Sequence, residues 1–387
     1  MDSSNTGTSE AVQAATLAAF DKRAAEQYLR GQWIAEEHLM RAIGGPRPAG
    51  VPFRWSWDDV KVALDEATTA LGPVDTARRH LTFINPGLVD RGSATTHTIS
   101  AGFQLVKPGE VCWSHRHTMG AVRFVTKGHP DAFTTVDGER LAMEDFDLLI
   151  TPRFAWHDHH NPSDTDVVWL DGLDIGLLFA LGQVFYEPYG DDSQNVRPSS
   201  SEGIGTRSHW LRPTWERGRD SRLPIRYPWA EAKARLDLYD LSAGNEFDGL
   251  ALRYANPVTG GPTMPTMDCW VQRLAPGFDG RTHRRSSSAI TYVISGSGTM
   301  QTDTETITFS AGDVITLPNW TNFRWTNDSA TEPVQLFSMH DIPALQAFGL
   351  LYEEPESILN ATPAPANPSP SLKPIYRPGA FYDQDEL

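Results

Sequence analysis

Apolar residues along this chain follow two rhythms, and the change between them falls near Thr95. In "SEAVQAATLAAFDKRAAEQYLRGQWIAEEHLMRAI", from Ser9, they recur at three- and four-residue intervals, which predicts amphipathic helix. "SWDDVKVALDEATTAL", from Ser56, resumes that rhythm after a Pro-rich break over 45–52. Beyond Thr95 short alternating segments take over: "HTISAGFQLVKPGE", "VRFVTKG", "AFTTVDGERLAMEDFDLLITP" and "DVVWLDGLDIGLLF". Gly, Pro, Asp and Asn separate them, so they predict strands of a barrel or sandwich. Residues 187–229 are polar and rich in Pro, Ser and Arg; they read as a long connection, followed by a helix in "AEAKARLDLY". The closing "NATPAPANPSPSLKPIYRPGAFYDQDEL" has too many prolines for regular structure and reads as a tail.

The strand-rich part contains itself twice. "FQLVKPGEVCWSHRHTMGAVRFVTKG", from Phe103, aligns without a gap to "VQRLAPGFDGRTHRRSSSAITYVISG", from Val271, an offset of 168 residues. After a two-residue contraction "FDLLITPRFAWHDHHN" meets "GDVITLPNWTNFRWTN", pairing Pro152 with Pro318 and Asn161 with Asn327. The resulting expectation is a helical segment over 1–94, barrels over 95–182 and 263–345 joined by a helix-bearing linker over 183–262, and a tail over 346–387.

Composition narrows the function. A formal charge of −16 with no basic run disfavours nucleic acid. No apolar run is long enough to span a membrane, and the N-terminal residues lack the basic and apolar regions of a signal peptide, so a cytoplasmic location is expected. Two cysteines, Cys112 and Cys269, cannot build a disulfide framework.

Against that background the histidines stand out. Seven of the 12 fall between His97 and His160, more than composition alone would place there. His115 and His117 occupy i and i+2 of a strand and so share a face, on which they can converge on one ion. His157, in the second half of the motif, can supply a third ligand. The second repeat has His283, Arg285 and Phe323 at these places; a guanidinium and a phenyl ring do not ligate, so only the first barrel is expected to hold metal.

The frame G-x5-H-x-H followed by P-x4-H-x3-N, present once and echoed once, resembles the bicupins. "SHRHTMGAVRF", "WHDHHNPSD" and "WLDGLDI" resemble more closely the gentisate 1,2-dioxygenase family, which includes salicylate and 1-hydroxy-2-naphthoate dioxygenases. The resemblance runs from about Gln27 through the second repeat. It implies a mainly β fold of two jelly-roll barrels with a helical N-terminal segment, an Fe(II) cofactor on His115, His117 and His157, and a homotetramer. The glutamate that common cupins place four or five residues after H-x-H is absent here, where Ala121 and Val122 stand, and this too matches the family.

Three neutral imidazoles leave iron(II) with its full charge and open positions, unlike the commoner site of two histidines and a carboxylate. An aromatic acid with an ortho hydroxyl supplies the missing anions, leaving a place for O2. The implied reaction breaks the ring bond between the carboxyl- and hydroxyl-bearing carbons and incorporates both oxygen atoms. Arg123 lies on the inward face with His117 and needs an anion, either the substrate carboxylate or a buried aspartate. By resemblance, Gly102 and Gln104 line the pocket, Gly102 by leaving room for a ring, although Gln104 also suits a core edge. His159 shares the face of His157 and contacts substrate or dioxygen, or else lies on an exposed loop. Asp174 orients a ligand or Arg123, or is a turn carboxylate. Arg78 reaches toward substrate. Gentisate-cleaving members often carry a further arginine where "ARRHLTFINPG" has Thr82, so the sequence favours 1-hydroxy-2-naphthoate, with gentisate or salicylate as alternatives. A metal-dependent cupin isomerase or lyase is the competing class; it would consume no oxygen.

Overall fold

The computed structural model describes residues 4–34, 46, 48–71, 79–92, 94–196 and 225–355, which fall into two units. The smaller contains the helix Ser4–Glu26 and a turn in which Trp33 Nε1 donates to Asp21 Oδ1 at 3.2 Å. The larger, from Pro48 onward, contains four antiparallel sheets.

Each repeat builds two of these sheets, and they correspond strand for strand. In the first barrel one sheet runs in the order His80–Thr82, Ser100–Val106, Val167–Leu173, Ala121–Lys127, Leu148–Thr151, Ile225–Tyr227. Its counterpart runs Leu250–Arg253, Asp268–Leu274, Val334–His340, Ala289–Ser295, Val314–Leu317, Phe53–Trp55. The remaining two sheets have five strands each, one containing Val111–His117 beside His157–His160, the other His283–Arg285 beside Phe323–Thr326. This is a bicupin. Helices Trp57–Leu71 and Trp229–Asp237 form where the apolar spacing predicts them.

The outermost strands depart from the sequence expectation. Ile225–Tyr227 and Leu250–Arg253 arise from the stretch read as a linker, Glu353–Pro355 from the expected tail, and Phe53–Trp55 from the helical segment. Three or four residues are too few to display a two-residue alternation, so such edge strands are decided by pairing with the sheet rather than by pattern.

Strands Ser100–Val106 and Ala121–Val125 are buried on both faces. Their inner residues line the first barrel, while Phe103, Leu105 and Phe124 point outward into a shared core with Val271, Ile290, Phe337 and Met339 of the second. Phe124 stacks on Phe337 with ring centres 4.0 Å apart and planes 8° from parallel. At Gly172 an added Cβ would lie 2.2 Å from Met339 Sδ, so close approach of the barrels requires glycine there. Phe337→Ala is expected to cost about 3–5 kcal/mol of stability, because the cavity would open between two rigid sheets. A shift of the chemical denaturation midpoint measures this; a midpoint within error of the parent would show that the barrels do not depend on the shared core.

The barrels are also tied by reciprocal polar contacts. Asp174 Oδ1 accepts from Gly120 N at 3.1 Å, and its other oxygen accepts from Thr266 of the second repeat. Asp341, at the matching position, accepts from Ser288 N at 2.8 Å and from Thr98 of the first repeat at 2.6 Å. Each barrel thus contributes a threonine to the other's aspartate.

Candidate metal centre

Register brings the three histidines together. His115 lies directly across from His157 in adjacent antiparallel strands, and His117 follows two residues on. One nitrogen from each of His115, His117 and His157 lies within 4.8 Å of the others. Among the described residues no other cluster of three potential metal ligands meets that geometry.

Hydrogen bonding fixes which nitrogen is available. His115 Nδ1 lies 2.9 Å from the Trp113 carbonyl, His117 Nδ1 2.9 Å from Met119 O, and His157 Nδ1 3.0 Å from Ala155 O. A carbonyl only accepts, so each Nδ1 carries the proton and each Nε2 presents its lone pair. His157 Nε2 is buried with no hydrogen-bond partner, a vacant acceptor of the kind a metal satisfies. Burial, reinforced by His115 and Arg123, lowers His117 to about 3, and burial with the same neighbours holds His157 well below its ordinary range. Neutral imidazoles with backbone-fixed tautomers suit a divalent metal of the late first row.

Arg123 is 4% exposed and faces this cluster. After burial, its charge is among the causes that lower His80, His115, His117, His157 and His159. Its Nε lies 3.1 Å from Asp171 Oδ1, and its Nη1 donates to Thr151. Asp171 also accepts from Trp169 Nε1 at 2.9 Å, and His80 Nε2 approaches it to 3.8 Å. His159 is buried against Trp169, with ring centres 4.9 Å apart, and its Nδ1 has no partner. The basin around the three ligands therefore combines one guanidinium, one carboxylate, two further imidazoles and an indole.

In the second barrel the same register sets His283 across from Phe323. Arg285 fills the His117 position, with Nη1 and Nη2 donating to Asp248 at 3.0 and 2.5 Å and Nε donating to Glu353 at 2.7 Å. An ion pair stands where the first barrel gathers imidazoles.

Comparison with known proteins agrees with this construction. The Cupin domain family matches residues 102–173 and 270–340, one match per barrel. Over all 387 residues, and the whole of the relative, the chain is 87% identical to 1-hydroxy-2-naphthoate 1,2-dioxygenase of Nocardioides sp. (strain KP7). It is 33% identical to gentisate 1,2-dioxygenase 1 of Aquipseudomonas alcaligenes over 80% of this chain and 88% of that one. The chain belongs to the gentisate 1,2-dioxygenase family. The solved salicylate 1,2-dioxygenase from Pseudaminobacter salicylatoxidans superimposes with a TM-score of 0.77 at 28% identity, covering 88% of this chain and 98% of that one.

As a ring-cleaving dioxygenase of this family, the protein assigns several residues differently from its sequence. Arg123 pairs with Asp171, not Asp174. Asp174 lies beyond the strand end, where it pairs with Arg153, whose Nη1 donates to Thr118 O at 2.9 Å. Asp174 therefore braces the Thr118–Gly120 turn that offers the Met119 carbonyl to His117. The space beside Gly102 belongs to the neighbouring strand rather than to a ligand ring. A Cβ there would lie 2.3 Å from Leu81 O and 2.6 Å from His80 Cε1. Gln104 is buried, with Nε2 donating to Cys112 Sγ at 3.4 Å. Arg78 lies outside the described residues. Sequence reasoning missed His80 and Asp171. The signal for Asp171 was present, since Trp169 and Asp171 share one face of an alternating strand and Arg123 lies across from it. His80 gives no such signal in its three-residue strand.

No helix among the described residues is long and apolar enough to cross a membrane.

Proposed function

We propose that the protein uses Fe(II), held by His115, His117 and His157, to cleave 1-hydroxy-2-naphthoate between its carboxyl- and hydroxyl-bearing carbons, with both atoms of O2 entering the product. The observation that carries this reading is the donor set itself: three neutral imidazoles with no carboxylate among them. Such a site leaves a dication uncompensated, and a substrate bearing adjacent carboxylate and phenolate groups balances it. Iron(II) supplies open coordination positions and the redox capacity that reaction with dioxygen requires.

The chain's own groups bind and orient. Asp171 and Thr151 engage the Nε and Nη1 sides of Arg123, and the remaining edge of its fork is available to a substrate carboxylate. His159 Nδ1 is a free, buried imidazole nitrogen beside the ligand His157, placed to hydrogen-bond substrate or dioxygen. Trp169 and the interior of the sheet exclude bulk water and strengthen these contacts.

Identity of 87% to the Nocardioides naphthoate enzyme supports the substrate. Thr82, where gentisate-cleaving relatives are expected to place a cation, supports an apolar second ring over a hydroxyl. Exposed Phe179, Leu181, Phe185, Phe348 and Leu350 suit burial between subunits, in keeping with the homotetramer the family resemblance implies.

Side-by-side kinetics on iron-loaded protein test the substrate. kcat/KM for 1-hydroxy-2-naphthoate should exceed that for gentisate by about tenfold or more, or about 1.4 kcal/mol. 1-Naphthol and 2-naphthoic acid, each lacking one arm of the chelate, should not be cleaved. Faster turnover of gentisate would reject the naphthoate reading; absence of oxygen uptake with every ortho-hydroxy acid would reject the dioxygenase chemistry.

A further inference from the structure

One segment touches both ligand-bearing strands from outside. Tyr186–Pro188 pairs with the edge of Val111–His117, setting Tyr186 across from His117 and Pro188 across from His115. The Tyr186 ring stacks on the ligand His115, with centres 5.2 Å apart and planes 27° from parallel. It also packs edge-on against Trp113, whose carbonyl fixes the His115 tautomer.

Eight residues later the same segment reaches the second ligand strand. Gln194 N donates to Asp158 Oδ2 at 2.7 Å, and Gln194 Nε2 donates to that oxygen at 3.2 Å and to Thr135 O at 3.1 Å. Asp158 is fully buried and lies between His157 and His159. Its other oxygen is 3.0 Å from His160 Nε2. Between these anchors, Glu187 pairs with Arg116, which lies 4.5 Å above the Trp156 ring.

The second barrel supplies an internal comparison. Its strand Glu353–Pro355 pairs with His283–Arg285 in the same way, so the edge strand is a property of the fold. Yet the Tyr186 position there is Glu353, held by Arg285, and the Asp158 position is Arg324, bonded to Gln301 and Asp279. The stacked tyrosine and the buried aspartate with its glutamine belong to the barrel with three histidines.

We infer that the strap Tyr186–Gln194 is the positioning device of the metal centre, holding the His115 ring and the His157 strand in their ligating arrangement so that bound metal leaves slowly. Tyr186 and Gln194 are positioning residues, since neither is a ligand. The inference rests on the reading that His115, His117 and His157 hold the metal.

The experiment measures the rate at which cobalt(II), loaded anaerobically as a spectroscopic probe, is lost from the full-length protein to excess chelator. Tyr186→Leu should release cobalt about tenfold faster than the parent, in the range expected when groups supporting a ligand are removed. Gln194→Leu keeps the backbone donor to Asp158 and should release it several-fold faster. Tyr186→Phe keeps the ring and should stay near the parent rate. His157→Ala, run alongside, tests the underlying reading, because cobalt binding unaffected by that change would remove the site itself. Circular dichroism restricts the comparison to folded variants. Parent-like release from folded Tyr186→Leu and Gln194→Leu, with His157→Ala unable to hold cobalt, would overturn the strap's role while leaving the metal site intact.

Discussion

His157→Ala should leave a folded protein that retains no metal and shows no turnover. Two imidazoles on a single strand form a weak chelate, and His157 is the ligand contributed from the opposite strand, so its loss removes the closure of the site. The backbone is not under threat: His157 pairs through main-chain atoms with its neighbours, and alanine preserves that ladder. His115→Ala and His117→Ala should behave alike. His283→Ala, in the second barrel, should retain metal in full. Elemental analysis of purified variants, compared with circular dichroism, checks this. Full metal content in His157→Ala, or two metals per parent chain, would contradict a single site in the first barrel.

Arg123→Ala should keep its metal yet lose about 2–4 kcal/mol of transition-state stabilisation, the scale of a desolvated charge-assisted contact. Because Arg123 also balances Asp171, truncation leaves a buried carboxylate without its counter-ion and adds a stability cost unrelated to catalysis. The double variant Arg123→Ala/Asp171→Asn separates the two. It should recover stability, measured by thermal unfolding, while kcat/KM stays low. Arg123→Lys should recover little, since a point charge does not reproduce the planar fork. Normal kcat/KM in a folded, metal-loaded Arg123→Ala protein would mean that Asp171 alone accounts for the arginine's presence.

The metal ligands are legible in the sequence because they lie on long, regular strands and because the repeat supplies an internal control. Two aligned copies that agree in glycine and proline positions but differ at His117 and His157 isolate the residues whose identity is chemical rather than architectural. The surroundings are less legible. Asp171 and Asp174 both occur in "DGLD", and only strand parity separates the one that faces Arg123 from the one that braces the turn. His80 enters the basin through a strand too short to announce itself. Gly102 shows how the same observation, a missing side chain, fits a ligand or a neighbouring strand equally well until the neighbour is seen.

The exchange of threonines between the barrels bears on how the protein is made. As the chain leaves the ribosome, the first barrel has its histidines, its shared-core face and Asp174 long before Thr266 exists to complete it. Phe53–Trp55 waits longer still, since its partner strand is Val314–Leu317 and Arg54 pairs with Asp313 at 2.9 Å. Translation therefore exposes an apolar sheet and an unpaired edge for most of synthesis, the arrangement that invites aggregation in slow, non-local folds. The helix Trp57–Leu71, synthesised next to that strand and packing Val60 and Leu64 into the same core, is available throughout this interval as a local cover. The metal-free repeat thus has a task its lost ligands do not reveal: it is the late-arriving half without which the working half cannot close.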